Sequence, residues 1–134
     1  MAVTRFVVDA PVLLSIIDGG VPVHPDHSLV APNPVRAQAL ELVLARVRDG
    51  LDRRDALGLL DRVAEAKLRV LNDRVSRRLA WEMALEHGWE SLRDAEYVAV
   101  TRLAADALVC GEPRLAGRAD GLVRIAPYES LFLP

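Results

Sequence analysis

Apolar positions along this chain follow two rhythms. The first is a set of short unbroken runs, Phe6-Val7-Val8 near the start and Ala107 to Cys110 near the end. A strand apolar at every position is buried on both faces, which is the habit of parallel sheets. The second rhythm is helical. Val35, Ala39, Leu42, Val43 and Val47 recur at helical spacing, so a helix over residues 34–48 has one apolar face. Asn33 before Pro34 makes a capped start and Gly50 a stop.

The rest of the chain parses in the same way. Residues 5–9 form a buried strand. "PVLLSIID" follows as a short helix with Pro11 in its first turn, ended by Gly19-Gly20. Residues 21–32 carry three prolines and read as loop, with "SLVAP" a short extended piece. "DRRDALGLLDRVAEA" is a helix capped by Asp52, and "KLRVLN" a second buried strand. "VSRRLAWEMALEHG" is a helix ended by Gly88. "SLRDAEYVAVTRLAA" is another, with Ser91 as cap and Asp94 at its third position. The strand 107–110, a short helix from Pro113 and a last strand "LVRIAP" complete the set. Strands alternate with helices, and every crossover is long enough for a right-handed βαβ unit. The expected fold is α/β: one domain over residues 1–134, a three-layer α/β/α sandwich with a mostly parallel central sheet.

Composition narrows the function classes. A chain of 134 residues buries a substantial core without covalent staples. Net charge is -2, so no global basic field announces nucleic acid. The local basic run "RVSRR", residues 74–78, reads as a solvated helix face. The single cysteine, Cys110, excludes an internal disulfide and reads as a buried, inert thiol. No basic segment with a long apolar stretch opens the chain, and no apolar run approaches about 18 residues, so neither a signal peptide nor a membrane span is expected. The expected compartment is the cytoplasm.

The candidate chemistry lies where the strands stop. The first apolar run ends on Asp9, and the last passes through Gly111 to Glu112. In open parallel sheets, sites form outside the carboxyl ends of the strands. Two carboxylates about 5 Å apart repel by about 3 kcal/mol at an effective dielectric near 20. Such a cluster calls for a proton or a cation. Oxygen donors select Mg²⁺ or Mn²⁺, an ion that orients water and clamps phosphate. Acids also cap helices. Asp9 precedes Pro11, Glu112 precedes Pro113, and Asp94 complements a positive helix end, so a capping role stays open for each.

The stretches "FVVDAPVLL" and "LRDAEYVAVTRLAADALVCGEPRLA", with the interval between them, resemble the PIN-domain family, and in particular its VapC-type toxins. The resemblance covers nearly the whole chain, and "DAEYVAV" followed by "LVCGEPRLA" is its most specific part. It implies an α/β/α sandwich and a Mg²⁺- or Mn²⁺-dependent endoribonuclease that hydrolyses RNA phosphodiester bonds. It also implies a homodimer silenced by a small antitoxin. Residue by residue, it assigns metal-holding roles to Asp9, Asp94 and Glu112. Glu112 stands where the family usually has Asp. Cys110 replaces a Thr or Ser, and Pro11 replaces a Ser or Thr.

The largest departure is on the helix after "APN", where the family has Glu. Here Gln38 is neutral, and the acid Glu41 follows three residues on, offset by about 4.5 Å along the axis. Glu41 either supports the site or is a plain surface acid. These departures leave two functions open: the ribonuclease, or a PIN-fold protein that has lost cleavage and binds RNA or another protein.

Other residues have plainer readings. His24 and His27 in "HPDH" lack further ligands at zinc spacing. His87 suits a helix carboxyl end. Trp81 lies in an apolar stripe and reads as core or dimer interface, and Trp89 as core or a base-stacking surface. Arg93 beside Asp94 is a solvated arginine or a phosphate contact. Ser15 has no recognisable triad partners.

Overall fold

A computed structural model describes residues 4–134. Residues 1–3, the start of the segment read for a targeting signal, lie outside them. Four strands form one parallel sheet: β1 (Thr4–Val8), β2 (His27–Pro32), β3 (Arg69–Leu71) and β4 (Ala107–Val109), in the order β3-β2-β1-β4. β1 is central, with Phe6 opposite both Leu29 and Ala107, and Val7 opposite both Val30 and Leu108. Alternation along β1 then feeds two cores, because successive side chains leave opposite faces.

On one face Val7, Val30 and Leu108 pack against α4 (Arg74–His87), α5 (Leu92–Ala104) and α6 (Pro113–Ala119). On the other, Phe6, Val8, Leu29 and Val109 meet α1 (Ala10–Gly19) and a 3₁₀ turn, Tyr128–Phe132. α1 in turn packs with α2 (Val35–Arg48) and α3 (Arg53–Glu65) around Leu13, Val35, Val43, Leu59 and Val63. This is the three-layer α/β/α sandwich.

Four local expectations need correction. "SLVAP" is not a fragment in a loop but the core of the six-residue strand β2. Its proline, Pro32, is the strand's last residue, where a missing N–H is tolerated. "KLRVLN" gives an edge strand of three residues that is only half-buried, with Arg69 exposed. "LVRIAP" forms no strand; it contributes one parallel bridge, Ile125 to Leu108. Asn33 does not cap α2, whose start at Pro34 has no side-chain cap bond. Asp52 and Ser91 do cap, accepting from the N–H groups of Arg54 and Arg93.

Candidate functional site at the carboxyl edge of the sheet

Asp9 follows the last residue of β1 and is only 2% exposed. Burying a carboxylate without partners is prohibitive, so its hydrogen bonds explain its position. Its Oδ1 accepts from the Val12 N–H at 3.2 Å, which caps α1. The Gly111 N–H donates to both oxygens, at 3.1 and 2.9 Å, and the Glu112 N–H to Oδ2 at 3.0 Å. One side chain thus stitches the end of β1 to the β4–α6 turn. Gly111 suits the close approach there, since a Cβ on it would lie 3.1 Å from the Pro11 Cβ, a tight contact. Pro11, where the resembling family has a hydroxyl, packs against that turn instead. Burial pushes the Asp9 carboxyl above its ordinary value, the Glu112 charge adds to that, and the backbone donors oppose it without reversing it.

Glu112 is half-buried, and its Oε1 accepts from the Arg114 N–H at 3.1 Å, capping α6. Capping is therefore a real role of both strand-end acids. Between them, the Cys110 thiol is pushed up to about 11, by burial first and then by the charges of Asp9 and Glu112.

Asp94 occupies the third position of α5 and is 4% exposed. Its Oδ2 accepts from Arg114 Nε at 3.0 Å and from Arg118 Nη1 at 2.8 Å. One turn further along α5, the Tyr97 hydroxyl donates to Gln38 Oε1 at 2.5 Å. Burial chiefly raises the Tyr97 hydroxyl, and the charges of Asp9, Glu96 and Asp94 add to it. Asp9 and Asp94 are therefore both felt at Tyr97. The position expected to carry the second acid, Gln38, is here a neutral partner of that hydroxyl. Glu41 is exposed on α2.

The fit of a divalent cation can be judged from these contacts. Among the described residues no three His, Cys, Asp or Glu side chains lie close enough to hold a metal ion. Asp9 is occupied by three backbone donors, Gln38 by a phenol and Asp94 by two guanidiniums. As arranged, the donor set does not fit Mg²⁺ or Mn²⁺.

Arg114, Arg118, Tyr97 and the Gly111 N–H were not among the residues expected to matter. The signal for the arginines was present, since residues four apart on a helix share a face. The acids do not line the groove of about 1010 Å³ that lies between α1, α3 and the starts of β2 and β3.

The remaining candidates have local roles. His24 Nδ1 accepts from the Asp26 N–H, and His27 Nε2 donates to the Leu133 carbonyl. Trp81 is 56% exposed, so it is not core. Trp89 is half-buried against the α4–α5 core, its ring stacked on His87 and Arg118 lying 5.6 Å from its centroid. Arg74, Arg77 and Arg78 are exposed, the solvated face expected of "RVSRR".

A four-stranded parallel sheet between two helical layers, with acids at its carboxyl edge, defines a PIN-like fold. Two solved structures share it. A protein from Pyrobaculum aerophilum, PAE2754, superposes with a TM-score of 0.73 at 22% identity, over 97% of this chain and 93% of that one. VapBC-1 from nontypeable Haemophilus influenzae superposes with a TM-score of 0.60 at 10% identity, over 92% of this chain and 98% of that one. At these identities the likeness is one of fold. No protein-family model and no curated protein sequence matches the chain.

Proposed function

We propose that this chain is a PIN-type ribonuclease, the toxin-like member of a pair with a small antitoxin, acting on RNA at the carboxyl edge of its sheet. The observation that carries the reading is Asp9: a buried carboxylate at the end of the central strand, fixed by backbone donors that include the Glu112 N–H, with Arg114 linking Glu112 to Asp94. Asp9 presents a negative charge that cannot move. Glu112 is tied to it through its N–H, and the arginines of α6 that hold Asp94 are suited to an RNA phosphate. Dependence on Mg²⁺ or Mn²⁺ belongs to the same proposal and requires a rearrangement in which Asp94 leaves its arginines. An exposed apolar pair on α4, Trp81 and Leu85, supports assembly with a second copy or a partner protein. Among the described residues no helix is long and apolar enough to cross a membrane, and a cytoplasmic site of action is part of the proposal.

The test is cleavage of single-stranded RNA by the purified protein with Mn²⁺ present. Asp9→Asn is expected to slow it by about a hundredfold or more, the scale of losing a positioned carboxylate. Unchanged cleavage would overturn the reading. The Asp94–arginine contacts and the neutral Gln38 favour a second reading, a PIN-fold module that binds RNA or protein without cutting. It predicts RNA retained intact by the wild-type protein at every Mn²⁺ concentration.

A further inference from the structure

We propose that Arg114 and Arg118 act as a built-in counter-ion that closes the acidic edge to divalent cations, so that metal binding to this chain competes with its own α6. The inference rests on the reading of Asp9, Asp94 and Glu112 as one site.

Both guanidiniums converge on a single oxygen, Asp94 Oδ2. They outweigh the charge of Asp94, and they occupy the one acid not already held by backbone. This is not a chance meeting of long surface side chains. The two arginines sit four residues apart on α6, and Leu115 and Ala119, 1% and 0% exposed, anchor that helix in the core. Arg118 is further fixed over the Trp89 ring, and its side chain is 26% exposed. The Arg114 side chain is 60% exposed and has a short path to water. Arg118 is then the fixed part of the closure and Arg114 the movable part. A cation entering the edge must displace at least Arg114 and meet the remaining positive charge of Arg118, which opposes it in a poorly screened site.

The test uses Mn²⁺ alone, titrated into the full chain and followed by calorimetry and by the spin-resonance signal of free Mn²⁺. Arg114→Ala/Arg118→Ala is expected to bind Mn²⁺ more tightly than wild type by about tenfold or more, a difference of about 1.4 kcal/mol. Adding Asp94→Asn should abolish the gain. Arg114→Lys/Arg118→Lys keeps the charge and should stay near wild type. Arg114→Ala alone removes a mostly exposed side chain. It should give a smaller gain in the same direction, and it decides the matter if the double variant does not fold. Equal Mn²⁺ affinity in wild type and the alanine variants would overturn the closure. That result is separable from failure of the ribonuclease reading, which is decided by RNA cleavage in Asp9→Asn.

Discussion

Asp9 and Asp94 are both buried acids at one edge of one sheet, yet they are satisfied by different chemistry. Asp9 is held by N–H groups of Val12, Gly111 and Glu112, which are parts of the backbone and stay in place. Asp94 is held by two side chains, of which the more exposed Arg114 can leave. A backbone-held carboxylate is a structural joint that also carries charge, whereas a guanidinium-held one is poised between states. The difference shows where the site is rigid and where it is adjustable.

Removing the joint should have the largest effect. Asp9→Ala leaves three backbone donors without their acceptor, and buried unsatisfied groups cost about 1–3 kcal/mol each. Relief of a buried charge offsets part of this, so a net loss of about 3 kcal/mol in urea unfolding is expected. A loss below about 1 kcal/mol would mean that Asp9 is not the joint. Asp94→Asn should be milder, about 2 kcal/mol, because the freed Arg114 can turn to solvent while Arg118 loses a buried acceptor. If the two substitutions cost the same, the contrast fails.

Arg118→Ala should destabilise more than Arg114→Ala. The first leaves Asp94 with only its more exposed partner, at about 1–2 kcal/mol. The second removes the better-solvated contact, at under about 1 kcal/mol. Gly111→Ala sharpens the picture from the other side. Its Cβ would press on Pro11, so the β4–α6 turn must shift by a few tenths of an ångström, at about 1 kcal/mol.

The smallest expected effect is chemical. Burial, and then the charges of Asp9 and Glu112, push the Cys110 thiol up to about 11. The thiolate is the reactive form, so labelling by a thiol reagent at pH 8 should be slow and should accelerate as the pH rises. Asp9→Asn removes one raising charge, so the thiol should ionise at lower pH and label faster at pH 8. An unchanged labelling rate would show that Asp9 carries no charge beside Cys110.

The contrast also explains what was legible in the sequence. β1 and β4 were readable because an apolar run buried on both faces has one meaning. β2 was hidden because the prolines of residues 21–32 argued for loop, and only its place beside β1 shows that Pro32 ends the strand harmlessly. "LVRIAP" looked like a strand, but it makes only the bridge from Ile125 to Leu108. Asp9, Asp94 and Glu112 were identifiable as acids at strand and helix ends. Their partners were not, because a link from Asp9 to Gly111, or from Asp94 to Arg118, depends on tertiary placement that no local pattern carries. The one local clue to the arginines was their spacing on a short helix.

The central claim is that the charge of Asp94 is balanced by α6. A double-mutant cycle between Asp94→Asn and Arg118→Ala, measured by urea unfolding at neutral pH and low salt, tests it most directly. The account predicts a coupling of about 1–2 kcal/mol that persists when salt is raised, as for a poorly screened buried contact. Additive effects, with no coupling at either salt concentration, would contradict it.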